Sequence, residues 1–78
     1  MPKIPRDCGS RRLLGLLARY GYVLTRQRGS HCRLHSEQFD HSITVPNHEP
    51  IKVGMRSSIL SEVADVVRVE KEDLIRDL

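Results

Sequence analysis

The run Arg26-Gln27-Arg28-Gly29-Ser30-His31 places a histidine just after a glycine turn, with two arginines close before it. Imidazole titrates near neutral pH, so it can accept and return a proton during a reaction. Guanidinium is a planar, permanently charged fork that fits phosphate oxygens. A proton-transfer group beside phosphate-binding groups is what cleavage of an RNA backbone requires. RNA carries its own nucleophile, the 2′-hydroxyl. A base that takes its proton drives attack on the adjacent phosphorus, a cation offsets the charge that builds there, and an acid protonates the leaving oxygen. His31 is the candidate base, and Arg26, Arg28, Arg33 and Lys52 are the candidate phosphate contacts. His35, four residues along on the same strand face, is either the partner acid or a bystander. Gly29 and Ser30 join the RNA-binding set through the turn, although glycine there also suits a positive φ. The chemistry needs neither metal nor other cofactor.

A metal reading competes with this one. His31, Cys32 and His35 look superficially like ligands, with His41 and His48 further on. Adjacent strand residues point to opposite faces, however, so His31 and Cys32 do not converge on one ion, and the spacing fits neither a zinc ribbon nor a finger. Cys32 reads as a small core residue rather than a nucleophile. Two cysteines, Cys8 and Cys32, make no disulfide framework and read as free thiols.

The elements that must position these residues follow from length and periodicity. A chain of 78 residues suits one small domain over residues 1–78, with 38% hydrophobic and 29% charged residues as in a folded globular unit. At this size the expected site is a shallow groove, not a deep small-molecule pocket. No apolar run is long enough to span a membrane, and the start of the chain lacks a signal-peptide pattern, so the expected compartment is the cytoplasm. Charge is unevenly spread. Residues 1–36 carry eight basic residues and one acidic, a balance of +7; residues 37–78 carry five basic and nine acidic, a balance of −4; together they give the net +3. An arginine-rich half fits a polyanionic ligand.

Residues 1–8 read as an extended lead-in, with Ser10 as a helix cap. Leu13, Leu14, Leu16, Leu17 and Tyr20 recur at helical spacing, which predicts an amphipathic helix over 11–20 stopped by Gly21. Residues 22–26 read as a first strand, 27–30 as a turn, 31–35 as a second strand and 41–45 as a third, with Ile43 and Val45 inward. Cys32 and Leu34 then face one side, and His31, Arg33 and His35 the other. Residues 46–50 break the third strand. A second helix begins near Gly54 with Met55, Ile59, Leu60, Val63 and Val66 or Val67 as its apolar stripe. The tail from Glu70 sets Leu74, Ile75 and Leu78 on one side, as a further helical turn or two would. The predicted class is α+β: an α-β-β-β-α order, a three-stranded antiparallel sheet, and both helices on one face. The other face stays open and carries His31, Arg33 and His35.

At this point the residues resemble a known family, the HicA (YcfA-like) toxins of type II toxin–antitoxin systems. The matching stretches come in order: Lys3-Ile4-Pro5, Gly9 and the leucine-rich helix; Tyr20-Gly21-Tyr22-Val23-Leu24; Arg26 through His31, the family's signature; then Ile43-Thr44-Val45-Pro46-Asn47-His48 and Lys52-Val53-Gly54-Met55-Arg56-Ser57-Ser58-Ile59-Leu60. Together they cover residue 3 to about residue 64. The resemblance implies a fold like a double-stranded-RNA-binding domain, with His31 as the catalytic residue. It implies metal-independent cleavage of mRNA, and neutralisation by a HicB-type antitoxin that blocks the histidine. The chain departs from the family at Cys32, where a histidine or aromatic is frequent, and at Glu49-Pro50, where a lysine is common. Residues 69–78 are expected to be a short C-terminal extension. A different class of function fits the same residues: a non-catalytic module that binds double-stranded RNA on the open sheet face. A toxin that has lost its activity and only binds its partner is a third reading.

Overall fold

A computed structural model describes residues 10–47 and 51–78. Helix α1 (Ser10–Ala18) is followed by β1 (Tyr22–Arg28), β2 (His31–Ser36) and β3 (His41–Pro46), then α2 (Val53–Val67) and α3 (Lys71–Asp77). The strands form one antiparallel sheet in the order β1-β2-β3. The α-β-β-β-α order and the antiparallel meander read from periodicity are therefore present. The readings for the lead-in, Cys8, Gly9 and His48 to Pro50 lie outside the described residues.

One face of the sheet carries the core. Leu13, Leu16 and Leu17 of α1 and Ile59, Leu60 and Val63 of α2 pack with Leu34, Ile43 and Val45, all buried. Both helices therefore share one face, because each must bury an apolar stripe and the sheet supplies one apolar surface. Cys32 is buried on that side as a free thiol. Leu74 of α3 is fully buried in the same cluster, and Lys71 Nζ donates to Ser57 Oγ at 2.6 Å, so the C-terminal extension is packed onto α2. Arg68, in the left-handed conformation at φ 59°, turns the chain between the two helices.

Four sequence expectations are corrected. The first helix stops at Ala18, and a tighter turn carries the chain through Tyr20 to Gly21 at φ +83°. β1 runs on to Arg28, so the turn is only Gly29-Ser30. Gly29 at φ +58° takes its first position, the residue type a two-residue hairpin favours there. Pro46 belongs to β3 rather than breaking it. Asn47 N–H donates to the Ser30 carbonyl, so the Pro46 nitrogen faces the free edge of the sheet, where a missing donor costs nothing. Met55 is exposed and outside the core. Its expected place on the inner stripe belongs to Arg56, which is fully buried and donates to the Ile51 carbonyl.

The sheet also holds a feature that strict alternation does not foresee. Between Leu24 and Arg26 the β1–β2 register shifts, leaving Thr25 as an extra residue. Its hydroxyl donates to the Arg33 carbonyl at 3.1 Å. Counting by twos from buried Tyr22 would turn Arg26 and Arg28 toward the helices. The bulge resets the count, so Arg26 pairs with Arg33 and Arg28 with His31 on the open face.

Candidate active site

The site is built on the open face at the β1–β2 hairpin. Register sets Arg28 opposite His31 on one side and Pro46 opposite it on the other. One step along, Arg33 lies between Arg26 and Thr44, and an Arg33 guanidinium nitrogen donates to Thr44 Oγ1 at 3.0 Å. Neighbouring strands are about 4.8 Å apart, so these side chains rise from adjoining positions. Arg26, Arg28, His31, Arg33 and Thr44 line a shallow groove of about 240 Å³.

Electrostatics favour an external anion in this groove. Among the described residues, none of the three arginines pairs with a carboxylate, whereas His41 pairs with Glu62 and Arg76 with Asp73. Three unneutralised guanidinium groups close together repel one another, and a phosphate chain would relieve that repulsion. His31 is exposed, and no side chain among the described residues hydrogen-bonds its ring. An exposed imidazole without such a partner is accessible to a hydroxyl from outside the chain.

The other candidates are distributed unequally. Ser30 and Lys52 border a second groove of about 270 Å³ on the far side of His31, together with Pro46, Ile51 and Met55. Gly29 shapes the turn. His35 shares the face of His31 but lines neither groove; its Nδ1 lies 2.7 Å from Ser42 Oγ, and it pairs with Val23. The structure thus joins His31 with Arg26, Arg28 and Arg33, sets Lys52 apart from those arginines, and leaves His35 in a polar pair of its own. No three His, Cys, Asp or Glu side chains among the described residues cluster as metal ligands would.

Residue-by-residue reading missed two members of this surface, Thr44 and Met55. A third missed feature lies at the opposite end of the sheet. Tyr22 Oη is 2.7 Å from His41 Nδ1, and His41 Nε2 is 2.8 Å from Glu62 Oε2, which chains β1, β3 and α2 together. The Tyr22 and His41 rings meet edge to face. Burial, and after it the Glu62 charge, raise the Tyr22 phenol above its ordinary value. This chain sits on the helix side, away from His31, and works as a clasp.

Comparison with known proteins then decides the family. A family model described as the HicA toxin of bacterial toxin–antitoxin systems matches residues 10–64. The chain belongs to the HicA toxin family. Neither curated proteins nor solved structures gave a match. The HicA match runs from α1 through the three strands into α2, so it includes both grooves around His31 and stops before α3. Membership makes this chain the toxin member of a toxin–antitoxin pair, with an antitoxin as its counterpart. No helix among the described residues is long and apolar enough to cross a membrane.

Proposed function

We propose that this HicA chain is a metal-independent endoribonuclease that cleaves mRNA in the cytoplasm, with His31 as the catalytic residue. The observation that carries the reading is the groove itself: one exposed imidazole beside three arginines that no carboxylate among the described residues neutralises. In this account Arg26, Arg28 and Arg33 hold the phosphates. The neutral His31 ring takes the proton of the 2′-hydroxyl, the 2′ oxygen attacks phosphorus, and the bond to the 5′ oxygen breaks as that oxygen takes up the proton from the His31 imidazolium. The products are a 2′,3′-cyclic phosphate and a 5′-hydroxyl. The arginines offset the added charge on the phosphorane oxygens. All reacting atoms come from RNA and imidazole, so the step balances without a metal.

The partner in this reading is a HicB-type antitoxin that covers the groove and blocks His31. The face is open and basic, which suits a protein that presents carboxylates to it. Expression in a bacterial host tests the reading: the wild type arrests growth, and His31→Ala does not. Unimpaired growth with soluble wild-type protein at confirmed levels contradicts it.

A further inference from the structure

The groove on the far side of His31 differs in chemistry from the arginine groove. Pro46, Ile51 and Met55 give it apolar walls, while Ser30 and Lys52 supply polar groups at its border. Met55 is a large apolar side chain that is nevertheless 46% exposed. Phosphate does not want apolar walls. A flat ring with polar edges does, and a thioether is a favourable contact for its face. The volume, about 270 Å³, lies just under the range of about 300–1,000 Å³ typical for drug-sized ligands. That is ample room for one base.

His31 borders both grooves. We propose that the second groove is a base-binding subsite, which receives one unstacked nucleobase of the RNA while the arginine groove holds the neighbouring phosphate. The inference rests on the functional reading above. Its geometry follows from the connectivity of a nucleotide. The 2′-hydroxyl that His31 deprotonates sits between the 3′-phosphate on one side and the base at C1′ on the other. A nucleotide with its phosphate among the arginines and its 2′-hydroxyl at His31 therefore directs its base toward Pro46 and Met55. Pro46 is the cross-strand neighbour of His31, and the Asn47–Ser30 hydrogen bond makes theirs the closer kind of antiparallel pair. A base held in a duplex cannot enter, because it is stacked and paired. The subsite thus restricts the substrate to RNA that is single-stranded at the point of cleavage, even though the family resemblance implies a fold like that of a double-stranded-RNA-binding domain.

The test uses the full chain and a single-stranded 2′-O-methyl RNA hexamer, which binds but lacks the nucleophile. The sequence has two methionines, Met1 and Met55, so a ¹³C-methyl-methionine spectrum reports on the groove with one other signal. The hexamer is expected to move the Met55 methyl upfield, as a base over the thioether would. The same hexamer in a duplex leaves it in place. Met55→Ala, at an exposed position that leaves the core intact, is expected to weaken single-strand binding roughly tenfold, without changing its salt dependence. If the hexamer binds but the Met55 signal stays still and Met55→Ala binds equally well, the subsite is wrong and the arginine groove stands alone. If the wild type binds no RNA at low salt, the functional reading fails and the subsite fails with it.

Discussion

Arg26 stands directly across the sheet from Arg33 because Thr25 is bulged out between Leu24 and Arg26. Without that extra residue in the count, the two basic side chains of β1 would face the helices. The bulge is thus what assembles the arginine groove beside His31.

The groove makes a prediction about salt. Each of Arg26→Ala, Arg28→Ala and Arg33→Ala is expected to weaken RNA binding and to lower the slope of log affinity against log salt by about one phosphate contact. All three are exposed, so stability should change by less than about 0.5 kcal/mol. Titrations at several salt concentrations check this. Slopes equal to that of the wild type would mean that these arginines do not touch phosphate.

Gly29 carries the hairpin that sets Arg28 against His31. Its φ is +58°, and an added Cβ would meet nothing within 4 Å. The cost of Gly29→Ala is therefore conformational alone, about 1–2 kcal/mol. Gly29→Asn, a residue that tolerates the left-handed region, should lose less. Urea unfolding of the two variants checks the order. Equal losses would point to a role for Gly29 other than its φ.

The Tyr22–His41–Glu62 chain predicts a stability effect with a definite pH sign. Tyr22→Phe removes the hydroxyl that meets His41 Nδ1, at a cost of about 1 kcal/mol near neutral pH. The raised phenol pKa means that the unfolded chain gives up this proton first as pH rises past the ordinary value of 10.0. The stabilisation is therefore complete below that pH and is lost as pH climbs through the folded-state value. Wild type should lose more stability than Tyr22→Phe across that alkaline window. Parallel loss in both proteins would show that Tyr22 does not titrate as described.

Much of this architecture is legible in residue order. The leucines of α1 repeat at helical spacing, Cys32 and Leu34 alternate with His31, Arg33 and His35, and Gly21 and Gly29 stand where the chain turns. What escapes is decided by tertiary structure. Met55 and Arg56 are adjacent, and Met55, Ile59 and Val63 make a plausible stripe on their own. At 100° per residue Arg56 nevertheless sits nearer the centre of the face made by Leu60 and Val63, and hydrophobicity does not announce a buried arginine. The Thr25 bulge has no local signal either, since Thr25 looks like any strand residue. The Tyr22–His41–Glu62 clasp joins residues up to 40 positions apart, and only the packing of α2 on the sheet brings Glu62 to His41. In the site, the grouping of His31 with arginines is visible in sequence, but the division into an arginine groove and an apolar groove is not.

The central claim is that His31 is the proton-transfer group of a ribonuclease. Purified wild type and His31→Ala, incubated with a long RNA in EDTA, test it most directly when the new ends are identified. The account predicts cleavage by the wild type with 2′,3′-cyclic phosphate ends, and a rate roughly 10²–10⁴-fold lower for His31→Ala at unchanged stability. Equal cleavage by both proteins, or none by a folded wild type, would contradict it.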